Sequence, residues 1–395
     1  MTPAARTQAG IEILDKIIKA ARDQGAAADT IIARYFASRR YAGSQDRRAI
    51  RSLVYDAVRL LGDCPENGRA AMLALARRRP DLLEHFGAER YGPSTIAAEE
   101  TPAEEGRAPT WMADPLQESN IGEWDQTSLL ARAPLDIRVN PLRATIEEVE
   151  RELEDAERLH HAPMGLRLPP DTMLDKHPLY RKGAFEIQDA GSQIVSLAAG
   201  AAPGMTVVDL CAGGGGKTLA LAALMANRGR IVASDSDRGR LRKLEPRANR
   251  AGVSIAETRL LNPGEERDQL ADLASAADIV LVDAPCSGTG TWRRNPEARW
   301  RLTPGRIENF VSLQERLIEV GAELVKPGGA LVYIVCSLLD DEGTKQVEAF
   351  LERHPDWTAE KPELPAGTDR GGGVRLTPAK DSTDGFFVAK LVRPC

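Results

Sequence analysis

Along the first ninety residues, apolar positions recur at helical spacing. The run I-E-I-L-D-K-I-I-K-A-A, starting at Ile11, places them three and four apart, and R-A-I-R-S-L-V-Y-D-A-V-R-L-L, starting at Arg48, does so again. Residues 9–87 therefore read as all-helical, within a first domain spanning 1–90. Residues 91–110 are rich in Pro, Gly, Glu and Thr and read as a linker or exposed loop. Residues 111–190 mix short helices and strands into a small α+β segment. There L-D-I-R-V-N-P-L-R, from Leu135, predicts a strand, and T-I-E-E-V-E-R-E-L-E-D-A predicts a helix behind the Thr145 cap. From residue 203 onward, short apolar runs alternate with helical stretches. Residues 206–210, 230–234, 278–283 and 329–335 are the predicted strands. That alternation marks a doubly wound, mostly parallel α/β sheet, so residues 191–395 are expected to form one such domain.

Composition narrows the class. The chain has 395 residues, 42% hydrophobic and 28% charged, which suits a soluble globular protein of two or three domains. No apolar run reaches the roughly 18 residues of a membrane span, and the first residues lack the apolar core of a secretory signal. Cys64, Cys211, Cys286, Cys336 and Cys395 are odd in number and show no C-x-x-C spacing. Neither a disulfide framework nor a metal site is expected, and a reducing cytoplasm is. The net charge of −6 speaks mildly against nucleic acid, but distribution matters more than the sum. Arg34, Arg39, Arg40, Arg47, Arg48, Arg51 and Arg59 crowd one stretch, and Arg293, Arg294, Arg299, Arg301 and Arg306 another. Both are read as surfaces compatible with phosphate binding, against the plainer alternative of solvated helix faces.

Candidate chemistry begins at V-V-D-L-C-A-G-G-G-G-K-T, residues 207–218. A phosphate-binding loop of a nucleotide hydrolase needs glycine where Cys211 stands, so that reading fails. A strand, a glycine-rich turn and a helix remain, in which backbone approaches a ligand closely. Asp235, ending the next predicted strand, is placed to hold a ribose hydroxyl. Two further loops, D-A-P-C-S-G-T-G at 283–290 and V-C-S-L-L at 335–339, each end an apolar strand in Cys-Ser. Ligands of open α/β sheets bind at the carboxyl ends of strands, so both thiols and the glycine loop share one edge. A thiolate adding to carbon 6 of cytosine makes carbon 5 nucleophilic toward a methyl donor, and a second thiol can remove the carbon 5 proton afterwards. Asp283 is placed as an acid at ring nitrogen 3, a role that requires burial or a like charge to keep it protonated.

These motifs resemble the RsmB-like branch of the Sun/Nop family of RNA cytosine-5 methyltransferases, which use S-adenosylmethionine. D-L-C-A-G-G-G-G-K-T is similar to that family's cofactor loop, D-A-P-C-S-G-T-G to its Pro-Cys loop, and V-C-S-L-L-D-D-E-G to its Thr-Cys-Ser loop. F-E-I-Q-D-A-G-S-Q-I at 185–194, D-G-F-F-V-A-K-L at 384–391 and R-V-N-P-L at 138–142 resemble further segments, and Q-D-R-R-A-I-R-S-L-V-Y-D-A-V-R resembles its NusB-like helical RNA-binding domain. The resemblance implies a Rossmann-like class I methyltransferase domain. It implies Cys336 as nucleophile, Cys286 as the thiol that releases product, and Asp283 beside methyl donor and base. Cys211, Ala212, Gly213, Gly214, Gly215, Gly216 and Lys217 would line the cofactor and Asp235 its ribose, with Lys217 bonded to Asp283 or to the cofactor. The implied partner is RNA, ribosomal before transfer RNA, and a monomer is the default.

Three departures stand out. Gly213-Gly214 replace the usual Ala-Pro, which loosens the turn and is expected to weaken cofactor affinity. Val335 replaces the usual Thr before Cys336. Asn262 stands where an Asp usually meets the adenine side, and its amide can still hydrogen-bond there. Rival readings are a DNA cytosine methyltransferase, which needs one catalytic thiol only, and a binding or assembly factor with a decayed catalytic domain. The second strand-end thiol and the helical N-terminal domain argue against the first, and both thiols, Asp283 and Lys217 against the second.

Overall fold

The apolar stripes of the N-terminal region form α1 (Pro3–Arg22), α2 (Ala28–Ala37), α3 (Ser44–Leu60) and α4 (Gly68–Arg78) in the computed structural model, which describes all residues except 89 and 171. Local chemistry sets their ends. Thr2 Oγ1 accepts from Ala5 N–H at 3.3 Å ahead of α1, and Asn67 Oδ1 from Ala70 N–H at 2.8 Å ahead of α4. Ile13, Leu14 and Ile17 of α1 pack with Ile50, Val54 and Val58 of α3 and Met72 of α4. Gly68 lets α4 start against the backbone of α1, since a Cβ there would lie 2.3 Å from the Ile11 carbonyl oxygen.

This helical unit comprises Met1–Ala131 together with Thr291–Thr303, and the second unit comprises Arg132–Gly290 with Pro304–Cys395. The 91–110 stretch is tied into the helical unit. Arg69 pairs with Glu100 at 2.9 Å, and the N–H groups of Ala103 and Gly106 donate to the carbonyls of Ala70 and Leu60, each at 3.0 Å. Residues 291–303, which read from sequence as part of the C-terminal domain, pack here too. Their side chains close helix ends. Arg299 is buried and donates to the carbonyls of Val58 at 2.7 Å and Leu61 at 2.6 Å, at the end of α3. Arg301 donates to Gly25 and Ala26 carbonyls after α1, and Glu297 accepts the Ala28 N–H that opens α2 at 3.0 Å. Cations at a helix C-terminus and an anion at an N-terminus also suit the helix dipole. Reading this arginine cluster as a phosphate-binding surface is thereby corrected for Arg299 and Arg301, whose terminal guanidinium nitrogens donate to backbone carbonyls.

In the second unit, β1 (Leu135–Val139), β2 (Glu157–Arg158), β3 (Gly165–Leu168) and β4 (Phe185–Ile187) form an antiparallel sheet in the order β2-β3-β1-β4. The Thr145 cap holds as expected, with a reciprocal bond from Glu148 opening the helix Ile146–Glu152. The larger sheet contains β5 (Thr206–Asp209), β6 (Arg230–Asp235), β7 (Ala256–Leu260), β8 (Ala277–Asp283), β9 (Val325–Val335), β10 (Thr358–Glu360), β11 (Thr368–Arg370), β12 (Gly373–Leu376) and β13 (Phe386–Val392). Its order is β11-β12-β13-β9-β8-β5-β6-β7, with β10 on β13. The strands from β7 to β9 are parallel, and β10 to β13 are antiparallel additions. Both faces are covered, so successive residues enter opposite cores. Val207, Ile279, Leu281, Val332 and Ile334 face one, and Val208, Val280, Val282, Leu331 and Tyr333 the other. The chain leaves β5 toward β6 and returns to β8 on the other side, which puts the topological switch point between β5 and β8.

Candidate active site

β5 ends at Asp209, and the chain turns through Cys211, Ala212, Gly213, Gly214 and Gly215 into the helix Gly216–Leu224. Gly213 and Gly215 adopt φ of +54° and +84°. Gly215 is demanded twice, because a Cβ would also lie 2.6 Å from Leu244 Cγ. No atom comes within 4 Å of a Cβ built on Gly213 or Gly216, so the loop leaves space along its outer side. Asp235, buried at the end of β6, accepts Gly213 N–H at 2.7 Å and Asp237 N–H at 2.6 Å. Leu261 N–H donates to the Asp235 carbonyl at 3.0 Å, which seats Asn262 beside this strand end. The Asn262 side chain is exposed and donates to Glu265 Oε2 at 2.8 Å.

Asp209 lies beneath the loop, fully buried. Its Oδ2 accepts from Thr218 Oγ1 at 2.6 Å, and its Oδ1 has no partner among the described residues. Burial pushes its pKa up to about 7, against the pull of the Thr218 bond, with the charge of Asp283 adding to the rise. Lys217 reaches across from the first turn of the helix to Asp283 at the end of β8, with Nζ 2.7 Å from Oδ2. Burial would lower the Lys217 pKa, but Asp283 by charge and hydrogen bond, then Cys336 and Asp209, hold it above the ordinary lysine value. The expected setting for Asp283 is corrected here. Its side chain is 30% exposed and faces an ammonium rather than being deeply buried or set against a carboxylate.

The two thiols meet. Ala284 N–H continues the ladder to the Ile334 carbonyl at 2.9 Å, and Gly290 N–H donates to the Cys336 carbonyl at 3.0 Å. Cys286 and Cys336, both free, are left with Sγ atoms 3.4 Å apart. The hydrogen bond to Cys336, then burial, then the charges of Cys336 and Glu342 hold the Cys286 pKa well above the usual thiol value. Either sulfur can donate in this contact. Cys211 is likewise pushed up, first by burial and then by Asp235 and Asp283, which leaves it an inert thiol in the loop wall. Val335 is fully buried in the apolar layer with Tyr333 and Phe387, where a hydroxyl would need a partner.

Sequence reasoning missed the group that ties these loops together. Glu342 is fully buried in the loop after β9. Its Oε1 accepts Ser287 N–H at 2.7 Å and Gln314 Nε2 at 3.1 Å, and its Oε2 accepts the hydroxyls of Ser337, at 2.5 Å, and Ser287. The signal was present: each cysteine is followed by a serine, and both serines bond this one carboxylate.

Comparison with known proteins decides the family. Residues 198–392 match the family model described as 16S rRNA methyltransferase RsmB/F. The probable ribosomal RNA small subunit methyltransferase B of Synechocystis sp. is 35% identical over 328 residues, covering 78% of this chain and 72% of that protein. The chain belongs to the RsmB/F family. The crystal structure of PH0851 agrees over 98% of both chains at a TM-score of 0.77 and 26% identity. A methyltransferase homolog from Pyrococcus horikoshii covers 72% of this chain and 99% of its own at 0.60 and 27%. The sequence resemblance is thus met at the level of the RsmB/F family of rRNA methyltransferases, with an α/β catalytic fold behind a helical N-terminal region.

Proposed function

We propose that this protein methylates carbon 5 of a cytosine in small-subunit (16S) ribosomal RNA, using S-adenosylmethionine and a covalent bond between Cys336 and the RNA. The observation that carries the reading is the thiol pair, 3.4 Å apart at the ends of adjacent parallel strands. The loop fits an adenosyl cofactor. The space beside Gly213 and Gly216 leaves room for it, Asp235 keeps carboxylate lone pairs for a ribose, and Asn262 follows on the adenine side. When bound, that cofactor supplies an electrophilic methyl group.

The residues of the chain do the rest. The sulfur of Cys336 adds to carbon 6, and the electron pair of the ring double bond moves toward nitrogen 3. There the Asp283–Lys217 pair supplies a proton, which comes from the Lys217 ammonium and is relayed through the Asp283 carboxylate. Carbon 5 becomes nucleophilic and is methylated. Cys286 then takes the carbon 5 proton, the ring double bond reforms, and Cys336 departs as thiolate while nitrogen 3 returns its proton. The contact between the thiols suits this order. Once Cys336 is a thioether, the charge and hydrogen bond that raise the Cys286 pKa are gone, so Cys286 releases its proton to solvent and acts as base from the thiolate. The target base must be unpaired or flipped to reach the thiols. The helical unit would serve as the NusB-like RNA-binding part of a cytoplasmic monomer.

The test is Cys286→Ala, expressed in a host lacking its own copy of the enzyme and isolated under denaturing conditions. RNA should remain attached and should be lost on adding Cys336→Ala, and sequencing it identifies the substrate, ribosomal or transfer. A folded, cofactor-binding variant with no attached RNA would sink the assignment of the two thiols.

A further inference from the structure

Glu342 has no cationic partner among the described residues, although it is fully buried. A carboxylate in that position is costly unless hydrogen bonds replace its water. Here four donors converge on its two oxygens, and all but the Gln314 amide come from serines directly following the two thiols. Gln314 extends the brace, since its amide also donates to the Pro285 carbonyl at 2.9 Å, next to Cys286. Tyr333 fixes the other end, its hydroxyl donating to the Glu342 carbonyl at 2.5 Å from within β9. Thr289 closes the circle, bonding Ser337 Oγ at 3.2 Å and accepting Leu338 N–H at 2.8 Å. The two loops meet through one buried acid.

We propose that Glu342 is a positioning residue that sets the separation of Cys286 and Cys336, and through it the rate at which the RNA adduct is released. The inference rests on the two-thiol reading above. Of the two thiols, adduct formation needs only Cys336, which follows the end of β9. Release needs Cys286 at carbon 5 of a base already fixed to Cys336, so it needs both loops in register. Loosening the brace slows release first. A displacement of about 1 Å at a reacting group is enough to cost roughly 100-fold in rate.

The experiment uses the full-length protein with S-adenosylmethionine and small-subunit ribosomal RNA. It reads kcat, the KM for RNA, cofactor affinity and the fraction of RNA held covalently. Glu342→Ala should lower kcat roughly 100-fold, lower the RNA KM with it as adduct accumulates, and leave cofactor affinity near that of the parent. Glu342→Gln should restore turnover to within roughly tenfold. Its amide oxygen can take the Ser287 N–H and Gln314 donors, while its amide N–H groups donate to the two serine hydroxyls, which rotate to accept. Should Glu342→Ala fail to fold, the Ser287→Ala/Ser337→Ala double variant carries the test, and adduct should accumulate there too. Parental turnover, or joint loss of adduct formation and cofactor binding, overturns the proposal. So does a glutamine variant as slow as the alanine. The two readings fail separately: no adduct in Cys286→Ala removes the two-thiol mechanism, whereas adduct there but none in the Glu342 variant removes only the brace.

Discussion

Two fully buried carboxylates serve the two halves of the site, and they are treated differently. Glu342, on the thiol side, has four donors on its two oxygens. Asp209, beneath the glycine loop, has Thr218 on one oxygen and no partner on the other among the described residues. The loops above them follow suit. The thiol loops are cross-braced by side chains, whereas the glycine loop is held by Asp235 at Gly213, by Arg247 at Gly214 and by the ladder bond of Ala212, with open space beside it. Rigidity is concentrated where two sulfurs must address one carbon. A loop that receives a ligand can leave part of its ordering to that ligand, at a cost in affinity.

The largest effect comes from cutting the link between the halves. Lys217 begins on the glycine-loop side and ends on Asp283 beside the thiols. Lys217→Met should lower kcat about 100-fold, as expected for loss of a proton-delivering pair, with a much smaller change in cofactor affinity. Isothermal titration with the cofactor and single-turnover methylation separate the two, and an affinity loss matching the rate loss would move Lys217 to cofactor binding. Next is Gly215→Ala. Left-handed backbone and overlap with Leu244 together cost roughly 3 kcal/mol. Melting temperature and cofactor affinity should both fall.

Asp209 sharpens the contrast through pH. Its folded pKa of about 7 lies above the ordinary carboxylate value, so the folded state holds a proton that the unfolded chain has released. The stability this group contributes is complete below about pH 4 and is lost as pH rises toward 7, at up to about 1.4 kcal/mol per pH unit. Asp209→Asn is neutral throughout and can keep the Thr218 bond. The drop in melting temperature between pH 5 and pH 8 should therefore be smaller in the variant than in the parent. An unchanged drop would mean that Asp209 is ionised in the folded protein.

Much of this architecture was legible from periodicity and motif. The predicted strands at 206–210, 230–234, 278–283 and 329–335 correspond to β5, β6, β8 and β9 because buried parallel strands are continuously apolar. β7 was not read, since A-E-T-R-L lies partly exposed on the sheet edge and carries no apolar run. In the site, the chemistry-bearing cysteines, Lys217 and Asp283 do converge. What sequence could not give was contact. Arginines 299 and 301 look the same on paper whether they meet phosphate or helix carbonyls, and the environment of Asp283 depends on a lysine far away in sequence. Glu342 was hidden for the same reason: an acid in D-D-E-G reads as a solvated loop until Ser287, far away in sequence, is found on it beside Ser337.

The smallest effect tests the looseness of the glycine loop directly. Gly214 occupies the position where the resembling family usually has proline. Its φ lies outside the left-handed region, and its N–H makes no backbone hydrogen bond. A side chain there would meet Arg247 Nη1 at 3.3 Å, the movable end of a long side chain, and the carbonyl that Arg247 binds is unchanged. Gly214→Pro therefore removes freedom from the unliganded loop without costing a backbone hydrogen bond. Such substitutions are worth about 0.4–1 kcal/mol, so cofactor affinity should rise about two- to fivefold. kcat should stay near that of the parent, because the thiol brace is untouched. Tighter binding with unaltered turnover would establish that the two halves are ordered independently. Weaker binding would show that the loop changes its backbone on receiving the cofactor, and that the glycines serve this motion.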